Sequence, residues 1–209
     1  MIEIKNYTKK IRGKVILDDV DLTFEEGHIY GLKGVNGSGK TMLMRAVAGL
    51  MYSMTGQVVI DGKVLGKDMD FPPSIGLLLE NPAFLGNMTG FENLKFLASL
   101  KGNISDEEIK DIIAKVGLDP EDKRKYSKYS LGMKQRLGIA QALVGSPKII
   151  ILDEPFNALD EDGIELISPL IKETAKNGST VIMACHDSEQ LTALAEKIIV
   201  IYEGKIKEK

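Results

Sequence analysis

The run Gly34-Val35-Asn36-Gly37-Ser38-Gly39-Lys40-Thr41 fits the pattern G-x-x-x-x-G-K-[ST]. It lies between a strand-like apolar stretch at 29–32 and a helical pattern beginning at Lys40, the context this pattern requires. A strand feeding a glycine turn and then a helix is the opening of a layered α/β unit, so no other feature of the chain limits its fold as strongly. The glycines let the loop curl until successive backbone N–H groups converge on phosphate oxygens, helped by the partial positive charge of the helix start. In this reading Lys40 neutralises β- and γ-phosphates and the Thr41 hydroxyl ligates Mg²⁺. The plain alternative is a Gly-rich turn that only caps a helix. A phosphate loop by itself leaves kinases, GTPases and motor-like ATPases open.

The rest of the chain extends the α/β pattern. Val-, Ile- and Leu-rich stretches at 2–4, 15–24, 29–32, 58–60 and 75–79 make the first third strand-rich, interrupted by one helix from Lys40 to about Leu50. Between about Pro82 and Gly145 apolar residues recur at three- and four-residue spacing, which predicts helices. Phe91, Leu94, Phe96 and Leu97 line one; Ser105 with Glu108 forms a capping box opening a second that ends at Gly117; a third runs from near Gly132 to Gly145. Strand signals return at 149–152, 180–184 and 198–201, separated by helices over about 161–176 and 188–195. Pro169 is expected to kink the first of these or split it in two. Alternating strands and helices imply a parallel sheet covered on both faces. The 82–145 block then reads as an insertion between two halves of one core, 1–81 and 146–209, within a single domain of 209 residues.

A second motif narrows the chemistry. Lys148-Ile149-Ile150-Ile151-Leu152-Asp153-Glu154-Pro155 reads as a buried strand ending in two carboxylates at the carboxyl edge of the sheet, where open α/β folds bind ligands. Asp153 is placed to hold Mg²⁺, and Glu154 to polarise an attacking water as general base. The plain alternative is a turn that merely ends a strand.

With these motifs in place the whole chain resembles the ATP-binding cassette family, the ATPase subunits of ABC transporters. Tyr129-Ser130-Leu131-Gly132-Met133, followed by Lys134-Gln135-Arg136, occupies the place of the family's signature motif (LSGGQ); Ser130 and Gly132 match, while Tyr129, Leu131 and Met133 depart. The resemblance implies that this segment binds the γ-phosphate held by a second subunit, through N–H groups at a helix start. Asn157-Ala158-Leu159-Asp160 is similar to the D-loop that contacts the partner, and His186 to the histidine that senses the γ-phosphate. By the same resemblance Gly34, Asn36, Gly37, Ser38, Gly39, Lys40, Thr41 and Met42 contact the nucleotide, ATP. The implied fold is a P-loop core with a mostly parallel sheet, an N-terminal antiparallel β region and the inserted helical subdomain. The implied partners are a membrane-spanning permease and a second ATPase subunit, with the chain peripheral on the cytoplasmic face of the membrane.

Two positions depart from the family. Glu80 replaces a glutamine on the loop leading from the sheet into the helical block, where a carboxylate reaches Mg²⁺ or its water shell; a solvated loop acid is the plain alternative. Ile11 stands where the family usually has an aromatic on adenine, and the missing ring removes roughly 1–3 kcal/mol of stacking. Tyr7 or Arg12 are candidates to replace it, although Tyr7 also suits the core. Within the family, Glu80-Asn81-Pro82-Ala83-Phe84, Asn87-Met88-Thr89-Gly90 and the signature segment look most like the subgroup linked to export of, or immunity against, bacitracin and lantibiotics.

Composition removes other classes. Hydrophobic residues at 44% and charged residues at 27% exclude a disordered or collagenous chain. Lys+Arg 27 against Asp+Glu 30 gives a net charge of −3, without the basic excess of a nucleic-acid binder. One cysteine, Cys185, cannot make an internal disulfide, and the start MIEIKNYTKK offers no signal-peptide stretch, so a cytosolic setting is expected. The guanine-reading N-K-x-D is absent. A soluble ABC-type ATPase outside transport stays as the alternative function.

Overall fold

Two apolar layers flank the central strands, and alternation along each strand decides which layer a side chain joins. The computed structural model describes residues 1–80, 82–102, 104–185 and 188–207. Its elements begin with strands β1 (Ile2–Ile11), β2 (Lys14–Phe24) and β3 (Ile29–Lys33), helix α1 (Lys40–Val47), and strands β4 (Thr55–Ile60), β5 (Lys63–Val64) and β6 (Ile75–Leu78). Helices α2 (Gly90–Lys101), α3 (Asp106–Lys115) and α4 (Leu131–Leu143) follow. The chain then alternates through β7 (Ile149–Asp153), α5 (Glu161–Lys176), β8 (Thr180–Ala184), α6 (Ser188–Leu194), β9 (Lys197–Tyr202) and β10 (Lys205–Lys207).

One sheet has the order β10-β9-β3-β8-β7-β6, parallel except for β10 at its edge. The other, β2-β1-β4-β5, is antiparallel. On β7, Ile149 and Ile151 join the layer that holds Leu43, Met44 and Val47 of α1, whereas Ile150 and Leu152 join the layer of Leu137 from α4 and Ile167 from α5. β8 divides the same way, Ile182 and Ala184 against Val181 and Met183. Each such buried Val, Ile, Leu or Met side chain stabilises the fold by about 1.5–3 kcal/mol, so the two layers fix β3 and β7, whose carboxyl ends lead into the phosphate loop and the Asp153-Glu154 pair.

Several expectations need correction. Helix α1 stops at Val47, short of Leu50, because Gly49 takes a φ of 76° and the Leu50 N–H reaches back to the Arg45 carbonyl at 2.9 Å, a Schellman closure. Pro169 does not split α5, which stays one helix over Glu161–Lys176. Pro169 is exposed, while Ile167 and Ile171 on either side of it are fully buried and hold the helix against the sheet. Strand β1 extends well past Ile4 to Ile11, since bulges around Asn6 (φ 46°) break the period-two pattern without ending the pairing. The capping box at Ser105 and Glu108 is present, and a second one, Thr89 with Glu92, opens α2.

Tyr7 is a core residue, 2% exposed, and its hydroxyl donates to the Met51 carbonyl at 2.8 Å. Burial pushes its phenol up to about 12. The folded state therefore holds this proton more tightly than the unfolded chain, where tyrosine titrates near ~10. The associated stability is complete below about pH 10 and is lost as pH rises toward 12, on the order of 2 kcal/mol in all. Urea midpoints across that window are expected to fall more steeply for the natural chain than for Tyr7→Phe.

Candidate functional site

Strand β3 delivers the phosphate loop to the open edge of the sheet. Gly34 is needed for space, since a Cβ there would lie 2.3 Å from the Ile201 carbonyl oxygen. Gly39 is needed for conformation, capping α1 with a φ of 115°. The loop is tied down by the Gly204 N–H donating to the Ser38 carbonyl at 2.9 Å, and Gly204 in turn accepts from the Asp18 N–H of β2. With the first N–H groups of α1 unsatisfied within the helix, this is a cradle for an anion. Lys40, 8% exposed, donates from Nζ to the Gly34 and Val35 carbonyls at 2.7 and 3.3 Å. The Ser38 hydroxyl is buried with no hydrogen-bond partner among the described residues, a polar atom in the cradle left for a ligand.

Strand β7 brings its two carboxylates to the same place. The Thr41 hydroxyl donates to Asp153 Oδ2 at 2.7 Å. That separation is close to the ~3 Å edge of an octahedral Mg²⁺ shell with ~2.1 Å bonds, and two protein oxygens plus phosphates are the usual donor set for this ion. The residues fit Mg²⁺. Glu154 follows with a φ of 53°, a left-handed turn uncommon for a residue with a Cβ and concentrated at functional sites. Gln135 of α4, 6% exposed, donates from Nε2 to the Glu154 and Pro155 carbonyls, both at 3.0 Å, and so braces that turn. Asn36, Gly37, Gly39, Lys40, Thr41 and Met42 share one cleft of about 890 Å³ with Glu80, Asp153 and Glu154.

The cleft's far rim is the β1–β2 hairpin, which contributes Ile11, Arg12, Lys14 and Ile16. Ile11 is 40% exposed there, and Tyr7, held in the core, is excluded as its substitute. Arg12 and Lys14 make no ion pair among the described residues. Glu80 also lines the cleft, with its carboxylate on the Arg45 guanidinium at 2.5 Å.

Ser130, Gly132 and Asp160 sit elsewhere. They line a separate cleft of about 370 Å³ with Met133, Arg136 and Leu159. Ser130 caps α4 by accepting from the Met133 N–H at 3.2 Å. Asp160 caps α5 through the Gly163 N–H at 2.9 Å and pairs with Arg136 at 3.4 Å. His186 lies outside the described residues. Among the described residues no helix is long and apolar enough to cross a membrane.

A family model described as ABC transporter matches residues 17–157, more than half of the chain. The chain belongs to the ABC transporter ATP-binding family. This cassette is 45% identical to the uncharacterized ABC transporter ATP-binding protein YybJ of Bacillus subtilis (strain 168), over 99% of the chain and 94% of that relative. It is 39% identical to the bacitracin transport ATP-binding protein BcrA of Enterococcus faecalis, over 100% of the chain and 68% of that relative. Among solved structures it superposes with a TM-score of 0.88 and 28% identity on a dimeric ATP-binding cassette in a post-hydrolysis state bound to ADP and Pi, covering 100% of the chain and 97% of that one. Membership makes the cassette an ATP-hydrolysing subunit of an ABC transporter. Sequence reasoning missed the roles of Gln135 and Arg45. A buried glutamine inside an apolar helix face was the available signal for the first, whereas Arg45 and Glu80, 35 positions apart, gave none.

Proposed function

We propose that two copies of this cassette, or one copy and a homologue, clasp two ATP molecules head to tail and drive a separate membrane-spanning permease that exports a peptide antibiotic. The observation that carries this reading is the division of the site residues. Lys40, Thr41, Asp153 and Glu154 line one cleft, and Ser130, Gly132 and Asp160 line another, so one chain supplies half of each reaction centre. The dimeric ADP-bound cassette supports the pairing, and the bacitracin transport relative supports the cargo class.

In this reading the loop N–H groups and Lys40 bind the phosphates, with the α4 amino terminus at Ser130 and Gly132 of the partner subunit facing the γ-phosphate. Thr41 and Asp153 would hold Mg²⁺, with Glu80 lining the same cleft, and a bound ion would supply charge neutralisation of the phosphates. Glu154 accepts the proton of a water whose oxygen bonds to the γ-phosphorus as the bond to the β–γ bridging oxygen breaks, leaving ADP and phosphate. His186 senses the γ-phosphate. Repulsion between the charged products reopens the pair, and the 82–145 block carries that movement to the permease near Glu80. The cassette is thereby peripheral on the cytoplasmic face.

Extraction of native membranes in mild detergent is expected to bring down a multi-spanning protein with this chain. Purification with no membrane partner in repeated extracts contradicts the transport assignment. At the rim, Ile11→Tyr is expected to restore a stacking surface and tighten ATP binding about tenfold, read by titration of the purified chain.

A further inference from the structure

The ion pair between Arg45 and Glu80 links helix α1 to the segment after β6, and both contribute residues to the 890 Å³ cleft. Arg45 lies one helical turn beyond Thr41 on α1, so the two occupy the same face. Glu80 follows the end of β6 by two residues, in a left-handed conformation with a φ of 59°. Among the described residues neither side chain makes another ion pair or side-chain hydrogen bond. Their side chains are 38% and 63% exposed, so the pair is weak enough to break under a competing charge.

Charge accounting gives the pair a purpose. The cleft already holds Asp153 and Glu154, and a third carboxylate at Glu80 opposes a triphosphate unless a cation offsets it. Of the cations that line the cleft, Lys40 rests on the Gly34 and Val35 carbonyls, and Arg12 and Lys14 belong to the far rim. Among the described residues the cation on Glu80 is therefore the Arg45 guanidinium, and the metal that comes with the nucleotide is a second one able to offset it. We infer that Arg45 is a positioning residue which holds the Glu80 carboxylate until Mg²⁺ competes for it, one carboxylate being exchanged between two cations. This rests on the reading of the 890 Å³ cleft as the Mg²⁺-nucleotide site.

The test is the Mg²⁺ midpoint for binding of a fluorescent ATP analogue to the full chain, compared among the natural chain, Arg45→Met, Glu80→Gln and the double variant. With Glu80 present, Arg45→Met is expected to lower the midpoint about three- to fivefold, the range an exposed pair allows. In the Glu80→Gln background the same change is expected to move it by less than half as much. Equal shifts in both backgrounds mean only a general loss of positive charge and overturn the exchange, as does no shift in either. Analogue binding that ignores Mg²⁺ in every form overturns instead the cleft reading beneath it, so the two failures are distinguishable.

Discussion

Glu154→Gln is expected to reduce steady ATP turnover by about 10²–10⁴-fold while leaving ATP binding intact and accumulating a nucleotide-bound dimer. The substitution keeps the shape but replaces the carboxylate with a neutral amide, removing the negative charge and the ability to take a proton. The turn survives because its supports are backbone ones: the Glu154 N–H donates to the Ala184 carbonyl at 2.9 Å, and Gln135 braces the Glu154 and Pro155 carbonyls. Binding lies with the phosphate loop and Lys40, which the variant does not touch. Without product charge to force the copies apart, the closed pair persists. Turnover and gel filtration with ATP read the two halves of this result, and turnover at the natural rate removes Glu154 as the base.

Lys40→Ala is expected to act one step earlier, weakening ATP binding about 100-fold. A charge-assisted hydrogen bond to a phosphate is worth roughly 1.5–3 kcal/mol, and the upper end of that range gives two decades of affinity. The variant also strips the Gly34 and Val35 carbonyls of their donor, so the loop loses its internal brace as well as its charge. Secondary structure is expected to hold, because α1 is anchored by Leu43, Met44 and Val47, all fully buried. Equilibrium titration with a fluorescent nucleotide, alongside circular dichroism, separates lost binding from lost fold.

Contiguous chemistry was the legible part of this chain. A cradle for phosphate requires glycines, a lysine and a hydroxyl at fixed offsets between a strand and a helix, and Gly34 to Thr41 carry all of them in order. The all-apolar run of β7 ending in Asp153 and Glu154 was legible because a strand buried on both faces leaves polar groups only at its end. The capping box of Ser105 and Glu108 was legible for the same reason, being complete within four residues, whereas the equally local box of Thr89 and Glu92 was missed. What depended on distant partners was not. Nothing near Arg45 announces Glu80, and nothing near Gln135 announces the carbonyls it braces 19 and 20 residues away. The continuation of β1 beyond Ile4 was hidden because pairing with β2 and β4 outweighs the weak strand preference of Asn6 and Lys9. That Pro169 leaves α5 unsplit was hidden because the burial of Ile167 and Ile171 on either side of it, a tertiary property, holds the helix in one piece.

The central claim is that a complete reaction centre requires two chains. Its most direct test is the ATPase rate per subunit across a dilution series, with molecular mass measured by sedimentation under the same turnover conditions. The account predicts that specific activity falls on dilution in step with loss of the dimer, and that Gly132→Asp abolishes both dimer and activity while each chain still binds nucleotide. Undiminished specific activity in a sample whose mass is that of one chain contradicts it.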